Sequence, residues 1–194
     1  WRFQTDPGDQ GQARGLHLPG HDDSGWRTLA TPGYWEPQGM TDPRPGEAPR
    51  PRGRMPYSDY DGVAWYRLRF TIPAAWAGQD LVLSLGSVDD YDRVWLNGTL
   101  VGETGEGTER AVVVRRRYVI PGGVARAGEV NVLAVRVFDG GGPGGIMGPT
   151  LTLLPQQIEE AGVMLQQDDR PLIERFQDPP ASCRVTVCTT GTDN

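Results

Sequence analysis

The stretch Leu81 to Gly105, LVLSLGSVDDYDRVWLNGTLVGETG, decides the fold class. Leu81, Leu83 and Leu85 alternate with Val82 and Ser84, the period-two pattern of a half-buried strand. Val94 and Leu96 repeat it, and Asn97-Gly98 supplies the pair that best tolerates the positive φ angles of a type I′ hairpin. The stretch therefore reads as strand, acidic turn, strand, tight turn, strand. Its first turn holds Asp89, Asp90 and Asp92 around Tyr91. Desolvating each carboxylate costs several kcal/mol, so these residues are expected at an end of the sheet, facing water, a cation or a ligand.

Working outward, Val63 to Pro73 is a strand with Ala64, Tyr66, Leu68, Phe70 and Ile72 on one face and Val63, Trp65, Arg67, Arg69 and Thr71 on the other. The first face is expected in the core. Trp65, sharing its face with two arginines, is either tucked under a loop or stacked on a ligand. Val112 to Ile120 and Glu129 to Phe138 read as further strands, the second apolar on both faces and hence central. Thr150 to Leu154 reads as the last strand. The expected core is Tyr66, Leu68, Phe70, Leu83, Leu85, Val94, Leu96, Val132 and Ala134. Trp1 and Phe3 flank a plausible edge strand. Gly8 to Gly25 is polar and glycine-rich, a surface loop carrying His17 and His21; Pro19 and Gly20 between them exclude the helix on which that spacing would suit a metal. Glu36 to Asp61 is a long loop whose Pro/Arg-rich centre (42–56) reads as a solvated insertion, a lid or a docking arm.

Composition narrows the class. The 194 residues include 27 Gly and 17 Pro between short apolar runs, as in a turn-rich all-β fold. No run approaches the roughly 18 apolar residues of a membrane span. The net charge of -6 argues against nucleic acid as the main partner. The start at Trp1, without Met or a signal-peptide pattern, is expected of a mature form or an excised piece. Cys183 and Cys188 would sit about 16 Å apart on an extended strand, too far for a disulfide, and the compartment stays open. After Pro155 the pattern changes: Gln156 to Gln167 can form a short helix, and Arg184 to Val187 is strand-like.

VDDYDRVWLNGTLVGETG resembles the hairpin of the N-terminal sugar-binding domain of glycoside hydrolase family 2 proteins, the β-galactosidase and β-glucuronidase group. DSGWRTLATPGYW (Asp23 to Trp35), DGVAWYRLRFTIP (Asp61 to Pro73) and GEVNVLAVRVFDGGGPGGI (Gly128 to Ile146) match the same domain in the same order. The resemblance implies an antiparallel β-sandwich, a galactose-binding-like jelly roll, over residues 1–154, with 155–194 a C-terminal extension. It further implies that the loop after the PGYW segment, Glu36 to Asp61, and Asp139 approach the active site of a following barrel. That barrel, which supplies the catalytic glutamates, needs about 250 residues by itself and cannot be contained in this chain.

Loops at one end of a sandwich converge, and three here combine rings with acceptors, the two ingredients of sugar recognition: an aromatic face for the CH patch of a pyranose, and carboxylates for its hydroxyls. Trp35, Tyr57, Tyr60 and Tyr91 are the rings, and Asp61, Asp90 and Asp139 the acceptors. The expected ligand site comprises Trp35, Tyr60, Asp61, Asp90, Tyr91 and Asp139, with the run Gly140 to Gly145 letting Asp139 approach a ligand closely. The acidic turn can instead cap strand ends or hold a structural calcium; no cofactor is otherwise expected. The leading reading is a non-catalytic carbohydrate-binding or accessory domain whose partners are a saccharide and a neighbouring catalytic module. A small glycoside hydrolase using a carboxylate pair such as Asp90 and Asp139 is the rival, and a purely structural brace the third.

Overall fold

The computed structural model describes residues 1–40, 60–148 and 151–159. The Pro/Arg-rich segment, Tyr57, both cysteines and the strand-like run at Arg184 to Val187 lie outside the described residues. The strands are β1 (Arg2–Thr5), β2 (Arg27–Thr28), β3 (Gly33–Tyr34), β4 (Gly62–Thr71), β5 (Leu81–Asp89), β6 (Tyr91–Leu96), β7 (Thr99–Thr104), β8 (Arg116–Ile120), β9 (Val130–Asp139), β10 (Gly145–Met147) and β11 (Thr152–Pro155). A six-stranded sheet runs β2-β1-β4-β9-β6-β7. The second sheet runs β11-β5-β10-β3, with β8 on the other edge of β5. Every strand pairing is antiparallel.

The two sheets close over one apolar layer, giving an all-β sandwich. Ala64 and Tyr66 of β4, Val94 and Leu96 of β6, and Leu133, Val135 and Val137 of β9 meet Leu81, Leu83 and Leu85 of β5, with Ile120, Ile146 and Leu153. This is the face that alternation assigns to β4, β5 and β6. Asn97 (φ 52°) and Gly98 (φ 86°) make the expected tight turn between β6 and β7. Residues 156–159 are helical, the described part of the helix anticipated from Gln156.

Several expectations change. Leu68 and Phe70 point inward but are only half-buried. With Pro73, Trp76, Leu151 and Leu153 they line a small apolar cleft at the C-terminal end of β4. Val132 and Ala134 are buried, but on the opposite face of β9 from the inter-sheet core, because the inward residues are the odd-numbered ones. β1 is not an edge strand, since β2 pairs outside it.

The outer face of the six-stranded sheet is covered too. The segment from 7 to 26, polar in composition, lays Leu16 and Trp26 over Val63, Trp65, Trp95 and Ala134 as a second apolar cluster. Trp65 is fully buried, stacked on Trp95 at 5.2 Å, and its indole N–H donates to Asp6 at 3.0 Å. Arg67, also fully buried, anchors the loop: its Nε donates to Asp23 at 2.7 Å and its Nη1 to the Leu16 carbonyl. Of the two roles open to Trp65, packing under a loop is the one observed. His17 and His21 lie against Trp95 and Trp26 respectively.

Candidate functional site

Strand pairing gathers all six expected site residues at one end of the sandwich. Gly62 pairs with Asp139, Tyr91 with Phe138, Asp89 with Gly145, and Gly145 with Tyr34. The Trp35 N–H donates to the Gly144 carbonyl at 2.9 Å. β5 and β6 are joined by Asp90 alone, which holds the acidic turn against the start of the glycine loop: the Gly140 N–H donates to Asp90 Oδ2 at 3.0 Å.

The six differ sharply in exposure. Trp35 is fully buried, its ring against Phe3, Tyr60 and Tyr66. Tyr60 is buried and its hydroxyl donates to the Val63 carbonyl at 2.6 Å. Both rings belong to the core cluster and offer no face to a ligand. Asp139 is also fully buried. Asp61 is exposed, and Asp90 and Tyr91 are half-exposed; these three form the accessible part of the site.

The glycine loop is used differently from the expectation. A Cβ on Gly144 would lie 2.1 Å from Trp35 Cζ2 and 2.7 Å from Asp139 Oδ2, and one on Gly145 would lie 2.6 Å from the Gly33 carbonyl oxygen. These glycines therefore permit close packing of the chain on itself. Only Gly141 (φ 153°) and Gly142 (φ 94°) have open space beside them.

Asp89, Asp90 and Asp139 each bring a carboxylate oxygen within 4.8 Å of the others. Such a group relieves its repulsion by holding a hard cation such as Ca²⁺ or by keeping a proton. The electrostatics raise the pKa of two of the three acids. Burial pushes Asp139 up to about 7; the Gly141 N–H opposes this, while the charges of Asp89, Asp61 and Glu36 add to it. Burial, followed by the hydrogen bond and charge of Asp90, raises Asp89 to about 6. Asp139 Oδ1 accepts from Gly141 at 3.0 Å, whereas its buried Oδ2 has no hydrogen-bond partner among the described residues, nor has the buried Trp35 Nε1.

Asp92 departs from the other acids of its turn. Alternation along β6 turns Tyr91 and Arg93 outward and Asp92 inward, so this carboxylate is buried and faces neither solvent nor ligand. Arg116 makes that possible. Its Nε donates to Asp92 Oδ1 at 2.6 Å, Nη1 to the Ala111 and Val114 carbonyls, and Nη2 to the Val88 and Asp90 carbonyls at 3.0 and 2.7 Å. All five N–H groups of the guanidinium are thus engaged. The Tyr118 hydroxyl donates to Asp92 Oδ2 at 2.6 Å. Burial raises the Asp92 pKa, and the Arg116 and Tyr118 hydrogen bonds hold that rise back. By gripping the carbonyls of Val88 and Asp90, Arg116 fixes the backbone on both sides of Asp89. In the sequence it stands in the middle of Arg115-Arg116-Arg117, where nothing separates the buried arginine from its neighbours. Glu36, buried and accepting from the Gly144 N–H at 3.1 Å, was equally hidden in its loop.

The fold is an all-β sandwich with buried rings and with acidic, glycine-rich loops gathered at one end. The chain belongs to the family described as "Glycosyl hydrolases family 2, sugar binding domain", whose model matches residues 1–141. A β-galactosidase of Psychromonas ingrahamii is 30% identical over 112 residues, covering 53% of this chain and 10% of that protein. A β-glucuronidase of Paenibacillus borealis is 28% identical over 139 residues, covering 72% of this chain and 20% of that protein. Among solved structures, the β-glucuronidase of Ruminococcus gnavus in complex with D-glucuronic acid superimposes with a TM-score of 0.55 at 23% identity, over 72% of this chain and 20% of that one. The chain thus spans between a tenth and a fifth of the length of these relatives.

Proposed function

We propose that the chain acts as a non-catalytic carbohydrate-binding or accessory domain of a family 2-like glycoside hydrolase, meeting saccharide through its loop end. The observation that carries this reading is the family match over residues 1–141, in a chain only a fraction as long as its enzyme relatives. Its partners are a saccharide and a catalytic neighbour. Asp61, Asp90 and Tyr91 are the residues exposed enough to touch ligand, while Trp35, Tyr60 and Asp139 form the layer behind them.

One observation favours the hydrolase alternative: Asp139, with a raised pKa, shares a 4.8 Å cluster with two other carboxylates, resembling the carboxylate pair of a glycosidase. Its full burial weighs against that, since a general acid must reach the glycosidic oxygen. The two readings are separated by a glycan array probed with the isolated chain, run beside a screen of chromogenic glycosides. Binding without turnover is expected. Hydrolysis that follows the purified protein and disappears in Asp90→Asn or Asp139→Asn would put the enzyme first.

A further inference from the structure

Beside the loop end, the outer face of the six-stranded sheet carries a groove of about 550 Å³ that the acidic cluster does not share, within the range of small-ligand sites. It lies where the covering loop stops. Pro7 and Asp9 form one wall, the hairpin of β6 and β7 with Glu103 to Glu106 forms the other, and Val63, Phe138 and Tyr91 make the floor.

Strand register gives this surface its chemistry. Val63, Phe138 and Tyr91 are cross-strand neighbours in one row, and Arg136 and Arg93 pair in the next row along β9 and β6. Phe138 and Tyr91 are half-exposed, their ring planes within 8° of parallel and their centroids 6.0 Å apart. Being half-exposed, each ring presents part of its surface to the groove. The flanking charges are already held in place. Arg136 donates twice to Asp9, at 2.8 and 2.7 Å, and Arg93 donates to Glu103 at 2.9 Å. These side chains can accept from and donate to hydroxyls.

We infer that this groove is a saccharide-binding surface for a neutral oligosaccharide, continuous through Tyr91 with the loop end. The inference rests on the carbohydrate-binding reading above and extends it to a second face. Parallel rings suit the CH faces of pyranoses, and ion-paired side chains suit their hydroxyls. Charge decides against uronates: both arginines are paired, and Asp9, Glu103 and Glu106 leave the walls with more acidic than basic groups. An added carboxylate would meet repulsion with no unpaired cation among the described residues of the groove to offset it.

The test is calorimetric titration of the chain with cellotetraose, β-1,4-galactotetraose and tetragalacturonate, repeated on Phe138→Leu, Glu103→Gln and Asp90→Asn, each checked for its melting temperature. At least one neutral tetrasaccharide is expected to bind, about tenfold more weakly to Phe138→Leu and several-fold more weakly to Glu103→Gln, with tetragalacturonate weaker than both. Glu103 is exposed, so its variant keeps the test valid if Phe138→Leu folds poorly. Unchanged affinity in Phe138→Leu and Glu103→Gln, with loss in Asp90→Asn, would overturn the groove and leave the loop-end reading standing. Tighter binding of tetragalacturonate would overturn the neutral assignment. Binding of no saccharide by the unmodified chain would overturn the carbohydrate reading itself, and the groove with it.

Discussion

Asp92 and Asp139 are both buried carboxylates of the same sandwich, but their surroundings are opposite. Asp92 has Arg116 and Tyr118 on its two oxygens, and the arginine is itself saturated. Asp139 has one backbone N–H on Oδ1, no described partner on Oδ2, and acidic neighbours. Burial pushes both pKa values up, and only at Asp92 do a cation and a hydroxyl push back. The contrast teaches that a buried acid is not by itself a sign of function. A satisfied one holds the fold together, and an unsatisfied one at the mouth of a site is left to titrate or to meet a ligand.

The largest effect is expected where the satisfied carboxylate is broken. Arg116→Met leaves Asp92 buried without its cation and releases the carbonyls of Val88 and Asp90, so unfolding free energy should fall by about 3–5 kcal/mol in denaturant titration. A loss below about 1 kcal/mol would mean that the pair is not structural. Next comes Gly144→Ala, whose Cβ would collide with Trp35; about 1–3 kcal/mol is expected from overpacking, read as a lowered melting temperature.

Asp139 yields a smaller, pH-dependent effect. Below its ordinary value of 3.8 the carboxyl is protonated in both folded and unfolded states. Between there and about 7 the unfolded chain loses its proton first, so native stability falls as pH rises through that window and stays lower above it. Asp89 contributes the same sign up to about 6. Asp139→Asn should flatten the decline and gain on the order of 1–2 kcal/mol at pH 8. A melting profile that stays as steep in the variant would return Asp139 to the class of satisfied acids. Smallest is the surface pair Arg93–Glu103: Glu103→Gln should change stability by less than about 0.5 kcal/mol, so any loss of saccharide binding in it reports on contact.

Much of this architecture is legible in the sequence, because period-two alternation directly encodes which face of β4, β5 and β6 points inward, and Asn97-Gly98 fixes the hairpin. The gathering of Trp35, Asp61, Asp90, Tyr91 and Asp139 at one end follows from the resemblance and the strand order. What alternation cannot encode is what covers a face. β9 is apolar on both sides, so Val132 and Ala134 could not be told from Leu133 and Val135. The covering of Trp65 comes from a segment whose polar composition hides Leu16. Trp35 reads as a ligand ring because nothing local says that it packs into the core against Phe3, Tyr60 and Tyr66. Phe70 has the right face but lines an open cleft and is only half-buried, so Phe70→Ala should cost less than the 3–5 kcal/mol of a fully buried ring.

The comparison is tested most directly by following the side-chain carboxyl ¹³C shifts of Asp139 and Asp92 through a pH titration of the folded chain. An Asp139 inflection near pH 7 that is absent from Asp92 is the result expected. An Asp139 inflection below pH 5, in the ordinary range of exposed aspartates, would show that its carboxyl is as well satisfied as that of Asp92, and would contradict the account.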